Sequence, residues 1–146
     1  GAACALWVLP DLQTRKLLNV THTPIVELKE TVGGLTPRIK KLTALHTPDD
    51  RTFVEDRLMR YSDTDVNAHV NNTKYADFAC DALDLAARRE GEFISELEIT
   101  YHEECQPGER IRISTANIQP DRFVHGEGAD QDSRFDVRLR LNIEGQ

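Results

Sequence analysis

The sequence predicts an α+β domain in which an antiparallel sheet wraps around one long helix. Two observations carry the prediction. Over residues 72–90, Tyr75, Phe78, Ala79, Ala82, Leu83 and Ala86 recur at helical spacing and form one continuous apolar face. On either side, shorter stretches alternate apolar and polar residues with the two-residue period of a half-buried strand. One strand before the helix and a meander of three or four after it give a sheet and a helix that share one core.

The chain has two compositional zones, residues 1–50 and 51–146. In the first, residues 2–9 read as a strand, Pro10-Asp11 as a turn and residues 14–20 as a second strand. Residues 25–32 read as a short helix, with Thr23 as its cap, Pro24 in its first turn and Gly33-Gly34 beyond its end. Residues 35–50 are polar, contain Pro37 and Pro48, and read as a linker. No compact core is visible in this zone alone, so Trp7 and its neighbours need a further surface to pack on.

The second zone is more regular and reads as a complete domain. Residues 53–61 suit a strand and residues 62–71 a polar loop. The helix over 72–90 follows, with Asn71 or Asn72 at its start and Arg88, Arg89 and Gly91 at its end. Lys74, Asp77, Asp81, Asp84 and Arg88 lie on its polar side, and Asp84 and Arg88 have the spacing of a favourable pair. Next, Ser95, Leu97, Ile99 and Tyr101 alternate with Glu96, Glu98, Thr100 and His102, one set buried and one wet. Pro107-Gly108 and Pro120-Asp121 turn the chain around strands at 110–118 and 122–126. In the last strand Phe135, Val137, Leu139, Leu141 and Ile143 face the core, while Asp136, Arg138, Arg140 and Asn142 face water.

Composition narrows the function classes. A chain of 146 residues with 39% hydrophobic content can bury one core, but not two full ones. A net charge of -7 argues against a nucleic-acid partner. No apolar run approaches the ~20 residues of a membrane span, and no basic region precedes the apolar start, so the chain reads as cytoplasmic. Cys4, Cys80 and Cys105 are too scattered for a disulfide framework or a metal motif, and neither metal nor cofactor is expected. Cys4 and Cys80 suit small buried positions.

The chemistry concentrates in Arg60-Tyr61-Ser62-Asp63-Thr64-Asp65-Val66-Asn67-Ala68-His69-Val70-Asn71-Asn72-Thr73-Lys74-Tyr75. Asp65, Asn67 and His69 alternate, so an extended chain points a carboxylate, an amide and an imidazole to one side. They precede a helix N-terminus, whose N–H groups suit an oxyanion formed when a carbonyl is attacked. The same composition also suits ordinary capping and turning.

This stretch resembles the signature of hotdog-fold thioesterases, and its D-x-N-x-H-V-N-N-x-K-Y form is most similar to acyl-ACP thioesterases. Leu97-Glu98-Ile99-Thr100-Tyr101-His102-Glu103-Glu104-Cys105 resembles that family's L-E-Y-x-x-E-C segment. Leu6-Trp7-Val8-Leu9 with Thr14-Arg15-Lys16-Leu17 resembles the last strand of the family's first hotdog repeat. The resemblance implies a complete hotdog over residues 51–146, preceded at 1–50 by a remnant of a first repeat plus a linker. It implies hydrolysis of fatty acyl-ACP thioesters, with acyl-CoA substrates or an inert acyl-binding and assembly role as alternatives. It also implies pairing as a homodimer or tandem hotdog.

Carried over residue by residue, the family's catalytic positions match Asp65, Asn67, His69, Glu104 and Cys105. Two mechanisms follow. In one, Cys105 is a nucleophile activated by His69 and oriented by Asn67. In the other, Glu104 or Asp65 activates water while His69 and Asn67 hold the thioester. Strand parity favours the second, because Cys105 continues the core-facing odd positions and Glu104 the polar even ones. Elsewhere, Arg110, Arg112, Arg138 and Arg140 suggest either a basic stripe for an acidic carrier or a solvated sheet face. His125 reads as a strand residue without a special role, and Gly126 and Gly128 as a bulge or loop.

Overall fold

A computed structural model describes residues 44–143 together with Thr14. The chain divides into two compact units, Gly1–Thr43 and Ala44–Gln146. The strands and helix expected within residues 2–32 lie outside the described residues. The second unit runs β1 (Thr52–Leu58), α1 (Lys74–Ala82), β2 (Glu92–Tyr101), β3 (Arg110–Ile118), β4 (Asp121–Glu127) and β5 (Ser133–Ile143). All neighbouring strands are antiparallel, in the order β1-β3-β4-β5-β2.

The helix lies against the inner face of the sheet. Tyr75 and Phe78 meet Ile111, Ile113, Val124, Phe135, Val137 and Leu139 in one buried cluster. Phe135 lies so close to Gly126 that a side chain there would occupy the ring's place, and the strand register shifts beside it, between Gly126 and Glu127.

The helix is shorter than its periodicity predicts. It ends at Ala82, Asp84 enters the left-handed region at φ 49°, and a 3-10 turn covers Leu85–Ala87. The break lets Leu85 reach the core, 5% exposed, while Ala86 faces solvent. Burying the larger side chain gains more than continuing the helix with alanine. Arg88 consequently bonds the Leu85 and Glu92 carbonyls rather than Asp84.

The alternation in β2 fails for a similar reason. At the edge of the sheet formed by the described residues, and with a register shift between Ile94 and Glu96, it leaves Phe93, Ile94, Leu97 and Tyr101 substantially exposed. β5 is central, and its odd positions Phe135, Val137 and Leu139 are fully buried as expected. Its even position Asp136, expected in water, is only 2% exposed. Residues 45–47 cover it: the Thr47 N–H donates to Asp136 Oδ1 at 3.1 Å, its hydroxyl to the Val124 carbonyl, and the Leu45 N–H to Thr100 Oγ1. The end of the expected linker is therefore part of the sheet's cover.

Candidate active site

The loop between β1 and α1 is not extended. The Asp65 N–H donates to the His69 carbonyl at 2.8 Å, and the Ala68 N–H to the Asp65 carbonyl at 3.1 Å. Ala68 adopts φ 62°, and Thr64 and Val70 bridge below the turn. Asp65 Oδ1 accepts from the Asn67 N–H at 2.8 Å and lies 3.4 Å from the His69 N–H. A short carboxylate that bonds the backbone two residues on stabilises such a turn. Asp65, Asn67 and His69 thus share a compact turn, which corrects the expectation of three side chains aligned along an extended segment.

Two further contacts bring this turn to the end of β2. The Val70 N–H donates to the Cys105 carbonyl at 3.4 Å, and the Tyr101 hydroxyl donates to the Asn72 carbonyl at 3.0 Å. At the strand end, the His102 and Glu103 N–H groups both donate to the Arg134 carbonyl, at 2.9 and 3.2 Å. That shared acceptor ends the regular pairing. Asn71 fixes the approach to α1, its side-chain oxygen accepting from the Thr73 N–H and hydroxyl.

The result is an open cleft of about 250 Å³ lined by Asp65, His69, Asn72, Tyr75, His102 and Glu104, among others. His69 Nε2 lies 3.6 Å from Glu104 Oε2, just beyond a direct hydrogen bond. Asn67 is exposed and does not line the cleft. Cys105 is fully buried and does not line it either. Burial pushes its thiol up to about 11, against a weaker opposing effect from the Tyr75 hydroxyl. A thiol so protonated and enclosed is a poor nucleophile.

A larger depression, about 630 Å³, lies beyond the C-terminal end of α1. It is lined by Leu83, Leu85, Arg88, Arg122, Leu141 and Ile143, among others. The smaller cleft is the better candidate because it gathers carboxylates and imidazoles, with His69 Nε2 3.6 Å from Glu104 Oε2.

One polar cluster was not legible in the sequence. Asp136 Oδ1 accepts from His125 Nδ1, and Oδ2 from His102 Nε2, each at 2.9 Å. Burial would raise the Asp136 pKa, but the hydrogen bonds from His125, Thr47 and His102 outweigh it and hold the carboxyl well below the usual range. His125 therefore has a partner and a place in the core, unlike the residue without a role that the sequence predicted. The ligand atoms of His46, His102 and Asp136 lie within 4.8 Å of one another. Both Asp136 oxygens already accept N–H groups, so hydrogen bonding accounts for this cluster. A register between β4 and β5 that pairs His125 with Asp136 creates it, and strand pairing is invisible in a single sequence.

Two of the four arginines expected in a basic stripe are ion-paired. Arg138 pairs with Glu98 at 2.8 Å and Arg140 with Asp121 at 2.8 Å, both across neighbouring strands. Arg110 and Arg112 stand on β3, separated from β5 by β4. The four arginines form no continuous positive surface.

Residues 46–146 match the model of the acyl-ACP thioesterase C-terminal domain family. The chain belongs to that family. An acyl-[acyl-carrier-protein] hydrolase from Cuphea viscosissima is 28% identical over 99% of this chain and 34% of its own length. A palmitoyl-acyl carrier protein thioesterase from Arabidopsis thaliana is 29% identical over 97% of this chain and 35% of its own. The chain spans about a third of the length of these relatives. An acyl-ACP thioesterase structure from Bacteroides thetaiotaomicron superposes with a TM-score of 0.71 at 18% identity, covering 91% of this chain and 53% of that one. That likeness establishes the α+β hotdog fold for this domain. No helix among the described residues is long and apolar enough to cross a membrane.

Proposed function

We propose that this domain hydrolyses fatty acyl-ACP thioesters to free fatty acids, in the cytoplasm and within fatty acid biosynthesis. The observation that carries the reading is the shared cleft of Asp65, His69 and Glu104 in a chain of this family. In this reading a carboxylate, Glu104 or Asp65, takes a proton from water as the water attacks the acyl carbon. His69 polarises the carbonyl, and the turn held by Asp65 and Asn67 positions it. Cys105 takes no covalent part, which its burial and raised pKa support.

The reading extends to assembly. Strand β2, at the edge of the sheet among the described residues and with Phe93, Ile94, Leu97 and Tyr101 exposed, suits pairing with another hotdog, as a homodimer or a tandem repeat. Residues 1–50 would then represent part of a first repeat with its connection.

Free-thiol release from matched acyl-ACP and acyl-CoA substrates, with Asp65→Asn as control, tests the activity. Release from acyl-ACP that disappears in the variant supports the reading. A clear preference for acyl-CoA would move the substrate to the coenzyme thioester, and acyl binding without thiol release from either would make the domain a binding or assembly module.

A further inference from the structure

His102 lines the same cleft as Asp65, His69 and Glu104, yet the mechanism above leaves it idle. It is held on two sides. Its Nε2 meets Asp136 Oδ2 at 2.9 Å, and its ring stacks on His46 with centroids 5.7 Å apart and planes 19° from parallel. Asp136 is in turn fixed by His125 and the Thr47 N–H. An ionised carboxylate only accepts, so His102 presents its Nε2 proton to Asp136. Its Nδ1 has no protein partner among the described residues, and its side chain keeps 20% exposure at the cleft. Of the titratable groups near it, Asp136 bonds it, His46 stacks on it, Glu103 and Glu104 follow it in the chain, Asp65 and His69 line the same cleft, and His125 shares Asp136 with it. Glu103 is turned to Arg134 at 2.8 Å. A buried carboxylate on one ring nitrogen fixes the tautomer and steadies a positive ring as its other nitrogen exchanges a proton.

We infer that His102, held by Asp136, is the acid that protonates the departing sulfur in thioester hydrolysis at this cleft. The inference rests on the thioesterase reading. A water oxygen bonds to the acyl carbon, and its proton passes to Glu104 or Asp65. The carbon–sulfur bond breaks with its electron pair on sulfur, and the imidazolium Nδ1–H of His102 gives sulfur its proton. The neutral ring regains a proton from solvent, the carboxyl group returns its own, and the products are a fatty acid and a thiol. The site thus divides the work: Glu104 or Asp65, with His69, serves the attack of water on the carbonyl, and His102, held by Asp136, serves departure of the sulfur.

The test compares two leaving groups on one fatty acid: the N-acetylcysteamine thioester, which releases an alkyl thiol, and the S-phenyl thioester, which releases a far more acidic aryl thiol. His102→Gln keeps a side-chain N–H for Asp136 but cannot give up a proton. In the full chain it is expected to lose about 100-fold or more on the alkyl thioester and only a few-fold on the aryl one. Equal losses on both, or none on either, would overturn the inference and leave the thioesterase reading standing. Failure of the unaltered chain to cleave any thioester, acyl-ACP included, removes both. If His102→Gln does not fold, the unaltered chain decides alone: assisted departure makes kcat nearly independent of thiol acidity across a graded series, and a steep dependence overturns the assignment.

Discussion

Glu104 places its carboxylate 3.6 Å from His69 Nε2, although the two residues come from separate segments and the next residue, Cys105, is turned fully into the core. The strand-end geometry makes this possible. The Arg134 carbonyl accepts from both His102 and Glu103, regular pairing stops, and successive side chains then part between the cleft and the interior.

Loss of the Asp65 carboxylate is expected to stop turnover without unfolding the domain. Asp65→Asn keeps an oxygen to accept the Asn67 N–H, so the turn persists while the charge is gone. Thiol release should fall at least ~100-fold, and so should that of His69→Ala. Full activity in both variants would sink the proposed site.

Cys105→Ala should remain active within a few-fold, at a stability cost of about 1 kcal/mol for a small lost buried group. In the unaltered chain, alkylation of Cys105 should be slow under native conditions and fast on unfolding. Mass spectrometry of iodoacetamide-treated protein reads this directly, and rapid native alkylation that halts turnover would restore the cysteine nucleophile.

Asp136→Asn should destabilise the domain by about 3 kcal/mol near neutral pH, because His102, His125 and Thr47 lose a charged acceptor in a buried setting. The sign with pH follows from a folded-state pKa that lies below the unfolded one. Asp136 contributes fully above the unfolded value of about 3.9, and its contribution is lost as pH falls from there through the folded value. Denaturant melts of both proteins should therefore converge in acid, and a gap unchanged at pH 3 would argue against an ionised Asp136.

Ala68 stands at φ 62°, where a Cβ is unfavourable, inside the turn that carries His69. Ala68→Gly should raise stability by up to about 1 kcal/mol, less the entropy glycine adds to the unfolded chain. Thermal melts check this, and a clear loss of stability would show that the alanine methyl has a packing role.

Periodicity by itself determined much of the domain: α1 through Tyr75, Phe78 and Ala79, β3 at its full length, and the buried odd face of β5 at Phe135, Val137 and Leu139. These were legible because each face repeats within a few residues of chain. The motif residues Asp65, His69 and Glu104 were legible as a set through a resemblance. Strand parity is not what parts Glu104 from Cys105, because β2 ends at Tyr101 and its odd residues Leu97 and Tyr101 are themselves exposed. Tertiary structure alone decided the rest. Leu85 displaced Ala86 from the core because closing the sheet favours the larger apolar side chain there. Asp65, Asn67 and His69 became a turn because Thr64 and Val70 bridge across it. Asp136 became buried because β4 brings His125 opposite it, β2 ends with His102 beside it, and Thr47 closes over it. Each outcome depends on contacts between residues distant in the chain, and local spacing carries no record of them.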